Sequence, residues 1–310
     1  MYGMISCGMR RCLAVLLLGV WGIVSGAEEM SARTGAEADQ PSYVPKGYRL
    51  VWSDEFDGAV LNEQKWTLRP DMKGDGELAL AGTERPEVVR VADGKLQLNA
   101  VMDRSPESGN PLYTTCFSVT TYNKMHFRYG YLEMRARVPY KRSAWPSLWM
   151  KSLPGDIAPA GRADYMAEVE VLEVFSSPDT AAPNLHKWHR NGKHSSTSSP
   201  TRHKFTDISN LNNEYHIYGF EWTPRSMSMY LDGERYGYYD LSVDFGHKDG
   251  MEGFHETLYV IINNHVFTNT SPWKPQDSEV NSSSCLPNHY WIDWIRLYQK
   301  PGEGALFTAK

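Results

Sequence analysis

Glu168, Glu170 and Glu173 lie within Met166-Ala-Glu-Val-Glu-Val-Leu-Glu-Val-Phe175. Three carboxylates alternate with apolar residues in a run that otherwise reads as a buried β-strand. Residues two apart in a strand share a face, so Glu168 and Glu170 point the same way. Glu173 is three further on, and strict alternation turns it away. One extra residue, a β-bulge at Val171-Leu172, brings it back. Glu is depleted in strands and close like charges repel, so such a row is stable only where some carboxylates share protons and their pKa values part. Parted pKa values suit the cleavage of a glycosidic bond with retention. One ionised carboxylate attacks and one protonated acid serves the leaving oxygen, the two standing about 5–5.5 Å apart. A solvated strand face is the plainer reading of acids in a strand. Apolar neighbours and a Trp-rich surrounding sequence weigh against it.

The elements that must hold this row are β throughout. Tyr48 to Trp52, Lys95 to Val101, Tyr129 to Val138, Glu214 to Trp222, Ser226 to Leu231, Leu258 to Asn263 and Tyr290 to Tyr298 read as strands, with Asp93-Gly94 and Asp232-Gly233 as turns. No long 3.6-residue pattern competes. The expected fold is all-β, a two-sheet antiparallel sandwich or a barrel, in one domain over residues 47–300. Residues 28–46 read as a flexible leader ending at Val44-Pro45-Lys46-Gly47, and residues 301–310 as a loose tail.

The first 27 residues read as a secretory signal. Arg10 and Arg11 form its positive region, Leu13 to Val24 its apolar region, and Ser25-Gly26-Ala27 its cleavage site. The apolar run is short for a membrane span. The expectation is a secreted or periplasmic, monomeric protein with no stable membrane insertion after cleavage. Cleavage moves the net charge from −5 to −7, which disfavours nucleic acid as a partner. Cys116 and Cys285 remain and are able to pair in an oxidising compartment, though sequence does not show them close. The spacing of Cys and His forms no zinc motif. With 10 Trp and 18 Tyr the chain is rich in rings that stack on sugars or fill a core.

The chain resembles glycoside hydrolase family 16 over roughly residues 48–300. Its signature is Glu-x-Asp-x-x-Glu on a bulged strand, matched by Glu168, Glu170 and Glu173. Supporting stretches are Trp52-Ser-Asp-Glu-Phe-Asp57, Tyr129-Gly-Tyr-Leu-Glu133, Trp145-Pro-Ser-Leu-Trp149, Tyr218-Gly-Phe-Glu-Trp-Thr223 and Trp291-Ile-Asp-Trp-Ile-Arg-Leu-Tyr298. The resemblance implies a jelly roll of two curved sheets with an open substrate cleft, Glu168 as nucleophile and Glu173 as acid/base. The middle residue is normally Asp and hydrogen-bonds the nucleophile. Here it is Glu170, and the extra methylene displaces a carboxylate in a site where position matters.

The resemblance also nominates Trp145, Trp149, His186 and Trp188 as cleft residues, with core packing the alternative for Trp149. Asn263 and His265 are placed to bind sugar hydroxyls, or to be a buried pair at a strand end. Asp293, helped by Glu55, matches the acid of a structural calcium site on the convex face. No cofactor is required. Arg135 and Arg137 read as a solvated face. Between His186 and Lys204 stand five Lys or Arg (Lys187, Arg190, Lys193, Arg202, Lys204), four His and no acid, either a solvated loop or a contact for an anionic polymer. The implied activity is endo-acting, retaining hydrolysis of a polysaccharide. The acidic net charge favours a neutral β-1,3- or mixed-linkage glucan. The basic stretch favours a sulfated or other algal galactan, and the altered middle residue leaves a glycan-binding protein without activity as a further reading.

Overall fold

A computed structural model of the chain describes residues 42–68, 87–103, 112–115, 118–141, 144–153, 165–174, 183–198, 212–242, 251–266 and 286–309. The expected signal sequence, the expected leader before Ser42, Cys116, Cys285, Arg202, His203 and Lys204 lie outside the described residues.

The strands, in chain order, are β1 (Arg49–Asp54), β2 (Thr67–Leu68), β3 (Val89–Ala92), β4 (Lys95–Asp103), β5 (Leu112–Thr115), β6 (Val119–Thr120), β7 (Met125–Arg128), β8 (Gly130–Arg137) and β9 (Ala144–Ser152). They continue with β10 (Tyr165–Glu173), β11 (Asn184–His189), β12 (His194–Ser198), β13 (His216–Trp222), β14 (Ser226–Leu231), β15 (Glu234–Asp240), β16 (Leu258–Val266), β17 (Asn288–Gln299) and β18 (Ala305–Thr308). One sheet runs β15-β14-β13-β8-β17-β4-β3, with β1 on β17 and β5 on β4. The other runs β12-β11-β10-β9-β16-β6-β2, with β7 on β16 and β18 on β7. Every pairing is antiparallel. Among the described residues no helix is long and apolar enough to cross a membrane.

Period-two alternation builds the core between the sheets. Leu96 and Leu98, Leu132 and Met134, Tyr218 and Phe220, and Ile292 and Ile295 come from the first sheet. Leu148 and Met150, Val169 and Leu172, Leu185, and Val260 and Ile262 come from the second. The intervening residues of β9, β10, β11 and β16 must then face outward from the second sheet. That is the face on which the three glutamates stand.

The bulge lies where the spacing requires it. β10 pairs β9 with Glu170 opposite Trp149 and Leu172 opposite Leu148, the register shifting between them. Val171 is the extra residue, and its carbonyl accepts a hydrogen bond from Tyr236 Oη of the other sheet.

Several expectations change. Residues 301–310 are not a loose tail: β18 pairs β7 from Ala305 opposite Arg128 to Thr308 opposite Met125, because alternating Leu306 and Phe307 extend an otherwise open edge. The end of the leader is tied down. Ser42 Oγ and Tyr43 N donate to Glu133, at 2.9 and 2.7 Å. Glu133 is buried, and desolvation raises its pKa while these two donors pull it back. Arg135 and Arg137 do lie off the core, but not as free solvated charges. Arg135 Nη1 is 2.5 Å from Asp293 Oδ2 and its guanidinium lies 4.5 Å from the Tyr215 ring. That of Arg137 lies 4.0 Å from Trp291.

Candidate active site

Strands β9, β10, β11 and β16 lie side by side and present one surface. From β10 come Glu168, Glu170 and Glu173. From β9, at steps of two, come Trp145, Ser147, Trp149 and Lys151, with Glu168 opposite Lys151 and Glu173 opposite Ser147. From β11 come His186, opposite Glu168, and Trp188, opposite Met166. From β16 come Tyr259, Ile261, Asn263 and His265, the last opposite Trp145.

The two outer carboxylates are each held by an indole. Trp188 Nε1 donates to Glu168 Oε2 at 3.0 Å, and Trp145 Nε1 donates to Glu173 Oε1 at 2.9 Å. Lys151 Nζ lies 3.2 Å from the same Glu168 Oε2. Both of these contacts of Glu168 fall on one oxygen, Oε2. Lys151 is itself set by aromatic faces, 5.6 Å from the ring of Trp149 and 5.6 Å from that of Trp188. Cation–π attraction at such range orients an ammonium.

Glu170 sits between them and differs from both. It is 6% exposed, and its Oε2 has no hydrogen-bond partner among the described residues. Desolvation, then the charges of Glu173 and Glu168, push its pKa well above the usual carboxylate range, with Lys151 opposing. The hydrogen bond to the nucleophile that the resemblance implied is not present among the described residues.

Trp149 is buried at 7% exposure and packs with Tyr259, Ile261 and Leu153 in a small cluster under the outward face. It forms a floor rather than an exposed stacking platform. Asn263, expected on sugar hydroxyls, is 4% exposed with its amide already engaged. Its Oδ1 accepts from Trp149 Nε1 at 2.6 Å and its Nδ2 donates to the Trp145 carbonyl at 3.2 Å. It braces the two tryptophans, the buried alternative foreseen for it. His265 lies beside Trp145, with ring centroids 6.1 Å apart. Trp188 is the exposed ring, at 39%. His194 stacks on it at 4.0 Å, and His186 Nδ1 is 2.9 Å from His194 Nε2.

Asp293 and Glu55 do not fit a calcium site. Asp293 is ion-paired with Arg135, and Glu55 is gripped by both Arg296 nitrogens at 2.9 and 2.7 Å. A hard dication needs several free oxygens, and guanidinium groups occupy these. Of the basic stretch, Lys187 is not a solvated cation: it is buried, with Nζ 4.7 Å from the Tyr165 ring.

Sequence reasoning missed Lys151 and His194. Lys151 was within reach, since Trp145, Trp149 and Lys151 keep the same parity on one strand. His194 depends on the β11–β12 hairpin, which places it opposite Trp188, and nothing in its own neighbourhood announces a strand.

A two-sheet sandwich whose open sheet face carries a bulged row of carboxylates held by indoles has the architecture of the β-sandwich glycoside hydrolases. The chain belongs to glycoside hydrolase family 16: residues 50–300 match the family described as Beta-porphyranase A-D, GH16 domain. It is 26% identical over 275 residues to Glucan endo-1,3-beta-glucosidase A1 of Niallia circulans, covering 82% of this chain and 38% of that protein. It is also 26% identical over 268 residues to Beta-porphyranase E of Zobellia galactanivorans, covering 82% and 89%. The chain thus spans about two fifths of the first relative and most of the second. Among solved structures it resembles SCLam, a non-specific endo-beta-1,3(4)-glucanase of the same family, with a TM-score of 0.65 and 25% identity over 84% of this chain and 94% of that one.

Proposed function

We propose that the protein is a secreted, endo-acting β-glycanase that hydrolyses its polysaccharide with retention of configuration. The observation that carries this is the bulged strand, which sets Glu168 and Glu173 on one face with a separate donor on each. Glu168 attacks the anomeric carbon through Oε1, while Lys151 and Trp188 hold Oε2 and fix the carboxylate plane. Glu173 gives its proton to the departing glycosidic oxygen. A covalent glycosyl-enzyme results. Glu173 then takes a proton from water, which attacks the same carbon and regenerates Glu168. Trp145 holds Glu173 at the leaving-group side, and the exposed face of Trp188 suits stacking on a sugar ring.

For the substrate, the match to the porphyranase group supports a β-linked galactan, sulfated or otherwise substituted. A second reading, a β-1,3- or mixed-linkage glucan, is favoured by the likeness to glucanases and by the acidic net charge. Product release from porphyran, agarose, carrageenan, laminarin and lichenan separates the two. The expected result is oligosaccharides of several lengths from one galactan, with none from Glu168→Ser. Release from laminarin or lichenan alone assigns the glucan. Binding without release from any of them overturns the hydrolase reading. NMR of the first-formed products is expected to show the β-anomer, and the α-anomer would rule out retention.

A further inference from the structure

We propose that the outer face of the first sheet, on the side away from the glutamate row, carries a second binding site, one for a polysaccharide bearing sulfate esters. Alternation fixes which residues stand there. Leu96 and Leu98 of β4, Met134 and Ala136 of β8, and Tyr290 and Ile292 of β17 fill the core, so Gln97, Arg137 and Trp291 face outward. Register sets them in one row across four strands. Arg137 lies opposite Trp291, Trp291 opposite Gln97, and Gln97 opposite Arg90. At the usual strand spacing the row is about 14 Å long. His289, opposite Asn99, lies two residues from Trp291 along β17. Lys141 joins at that end, its Nζ 3.4 Å from the Pro287 carbonyl.

The row is braced without using up its cations. The Arg137 guanidinium lies over the Trp291 ring at 4.0 Å. Trp291 Nε1 donates to Asn99 Oδ1 at 3.4 Å, and His289 Nδ1 meets the same oxygen at 2.8 Å. A guanidinium over an indole keeps its in-plane donors, while the stacking fixes the direction of the fork. Arg137 is half-buried, and its Nε has no hydrogen-bond partner among the described residues. Arg90 is exposed, and its Nε donates to Gln97 Oε1 at 2.9 Å, which steadies the side chain without neutralising it.

Charge points to the partner. Burial, then the positive charges of Arg137, Lys141 and Arg90, hold the His289 pKa below its usual value. Three cations thus gather round one imidazole. None of the three is ion-paired with a carboxylate among the described residues, and Asp293, further along β17, is taken by Arg135 at 2.5 Å. Gathered like charges repel, and a bound anion relieves that repulsion. A planar guanidinium fork grips an oxyanion with two hydrogen bonds. The chain as a whole carries −5 and disfavours a continuous polyanion such as nucleic acid. A sulfated glycan instead sets its anionic esters among neutral sugars, which suit the Trp291 ring beside the cations. The choice of a sulfate ester over another oxyanion rests on the galactan reading of the substrate. A polymer held on this face would be kept at high local concentration for the cleft.

The test is biolayer interferometry of the full chain, carrying Glu168→Ser so that the polymer survives. The immobilised probes are porphyran, the same porphyran after chemical desulfation, and double-stranded DNA. The cleft also contributes to retention, so the decisive reading is the change that variants of the outer face make. Arg137→Gln is expected to weaken binding to porphyran about tenfold or more, the worth of one charge-assisted hydrogen bond. Arg137→Lys keeps the charge, loses the fork and is expected to recover only part of that loss. Arg90→Gln with Lys141→Gln, both at exposed positions, is expected to weaken binding about threefold or more and to flatten its salt dependence. Retention on the desulfated polymer is expected to stay the same in all of them, a difference that misfolding does not mimic. Variants within twofold of the parent on porphyran overturn the site. An equal loss on both polymers overturns the sulfate, and binding to DNA as tight as to porphyran overturns the polysaccharide. Because retention is read in a variant that does not hydrolyse, this proposal and the glycanase reading fail separately.

Discussion

Two indole N–H groups fix the outer carboxylates of the row, and their difference from the middle one is electrostatic. Glu173 accepts from Trp145 and Glu168 from Trp188. Removing the proposed acid/base by Glu173→Gln is expected to lower kcat on a polymer by about 10²–10⁴-fold, the usual worth of general acid catalysis. An aryl glycoside with a good leaving group needs no acid, so its first step is expected to lose far less, which stopped-flow release of the phenolate would show. Glu170 predicts a pH effect of opposite flavour. Burial and its two neighbours raise its folded pKa, so the neutral form suits the fold. Its contribution to stability is complete below the ordinary glutamate range and is lost as pH rises through the raised value. Glu170→Gln is therefore expected to raise Tm at pH 8 by about 2–4 °C, a gain of about 1 kcal/mol, and to leave it unchanged near pH 4. At this scale the sequence was readable where a residue breaks its local pattern. Three acids in an apolar strand are conspicuous. Lys151 and His194 are ordinary in their own neighbourhoods and become part of the site only through the partners that sheet pairing gives them.

The bulge is the element on which the row depends. Without the bulge, strict alternation would turn Glu173 into the core and Leu172 out of it. The cost of a bulge is an unpaired backbone group, and here the Val171 carbonyl is satisfied by Tyr236 Oη from the opposite sheet. Tyr236→Phe leaves that carbonyl buried and alone. The expected destabilisation is about 1–3 kcal/mol, the usual penalty for an orphaned buried polar group, read as a fall in Tm. As a positioning residue, Tyr236 is also expected to lower kcat more than it raises KM. The bulge was legible because a spacing of three between Glu170 and Glu173 does not fit a period of two. Its support was not, since Tyr236 lies 65 positions away. Three of the supporting motifs proved to be framework. In Tyr129-Gly130-Tyr131, Gly130 has φ +146°, and a Cβ there would stand 2.7 Å from the Tyr298 carbonyl. In Tyr218-Gly219-Phe220, a Cβ on Gly219 would strike Tyr131 Oη. Asp54 of the Trp52–Asp57 stretch accepts from Trp66 Nε1 at 2.7 Å and from Phe56 N at 3.1 Å. These stretches announce the fold and say nothing of the substrate.

At the scale of the molecule, alternation marked nearly every major strand, while edge pairing escaped it. A four-residue run such as Ala305–Thr308 carries too little pattern to declare a partner 180 positions upstream. Removing residues 301–310 uncovers the edge of β7 in the sheet that bears the site. The expected outcome is a lower Tm and, because an open edge is a template for pairing, growth of higher-mass species in light scattering relative to the full chain at the same concentration. The same reliance on distant partners governs how the first sheet comes into being. β17, residues 288–299, is inserted between β8 and β4 and also carries β1. All three of these strands leave the ribosome well over a hundred residues before it. Until Gln299 has been made, they lack their common neighbour, and their edges and apolar faces stay open. The chain is thus held back from early collapse into its final shape, a slow and high-contact-order route. For a chain exported as proposed, that delay would keep it threadable through a translocation pore and would call for holding chaperones during synthesis.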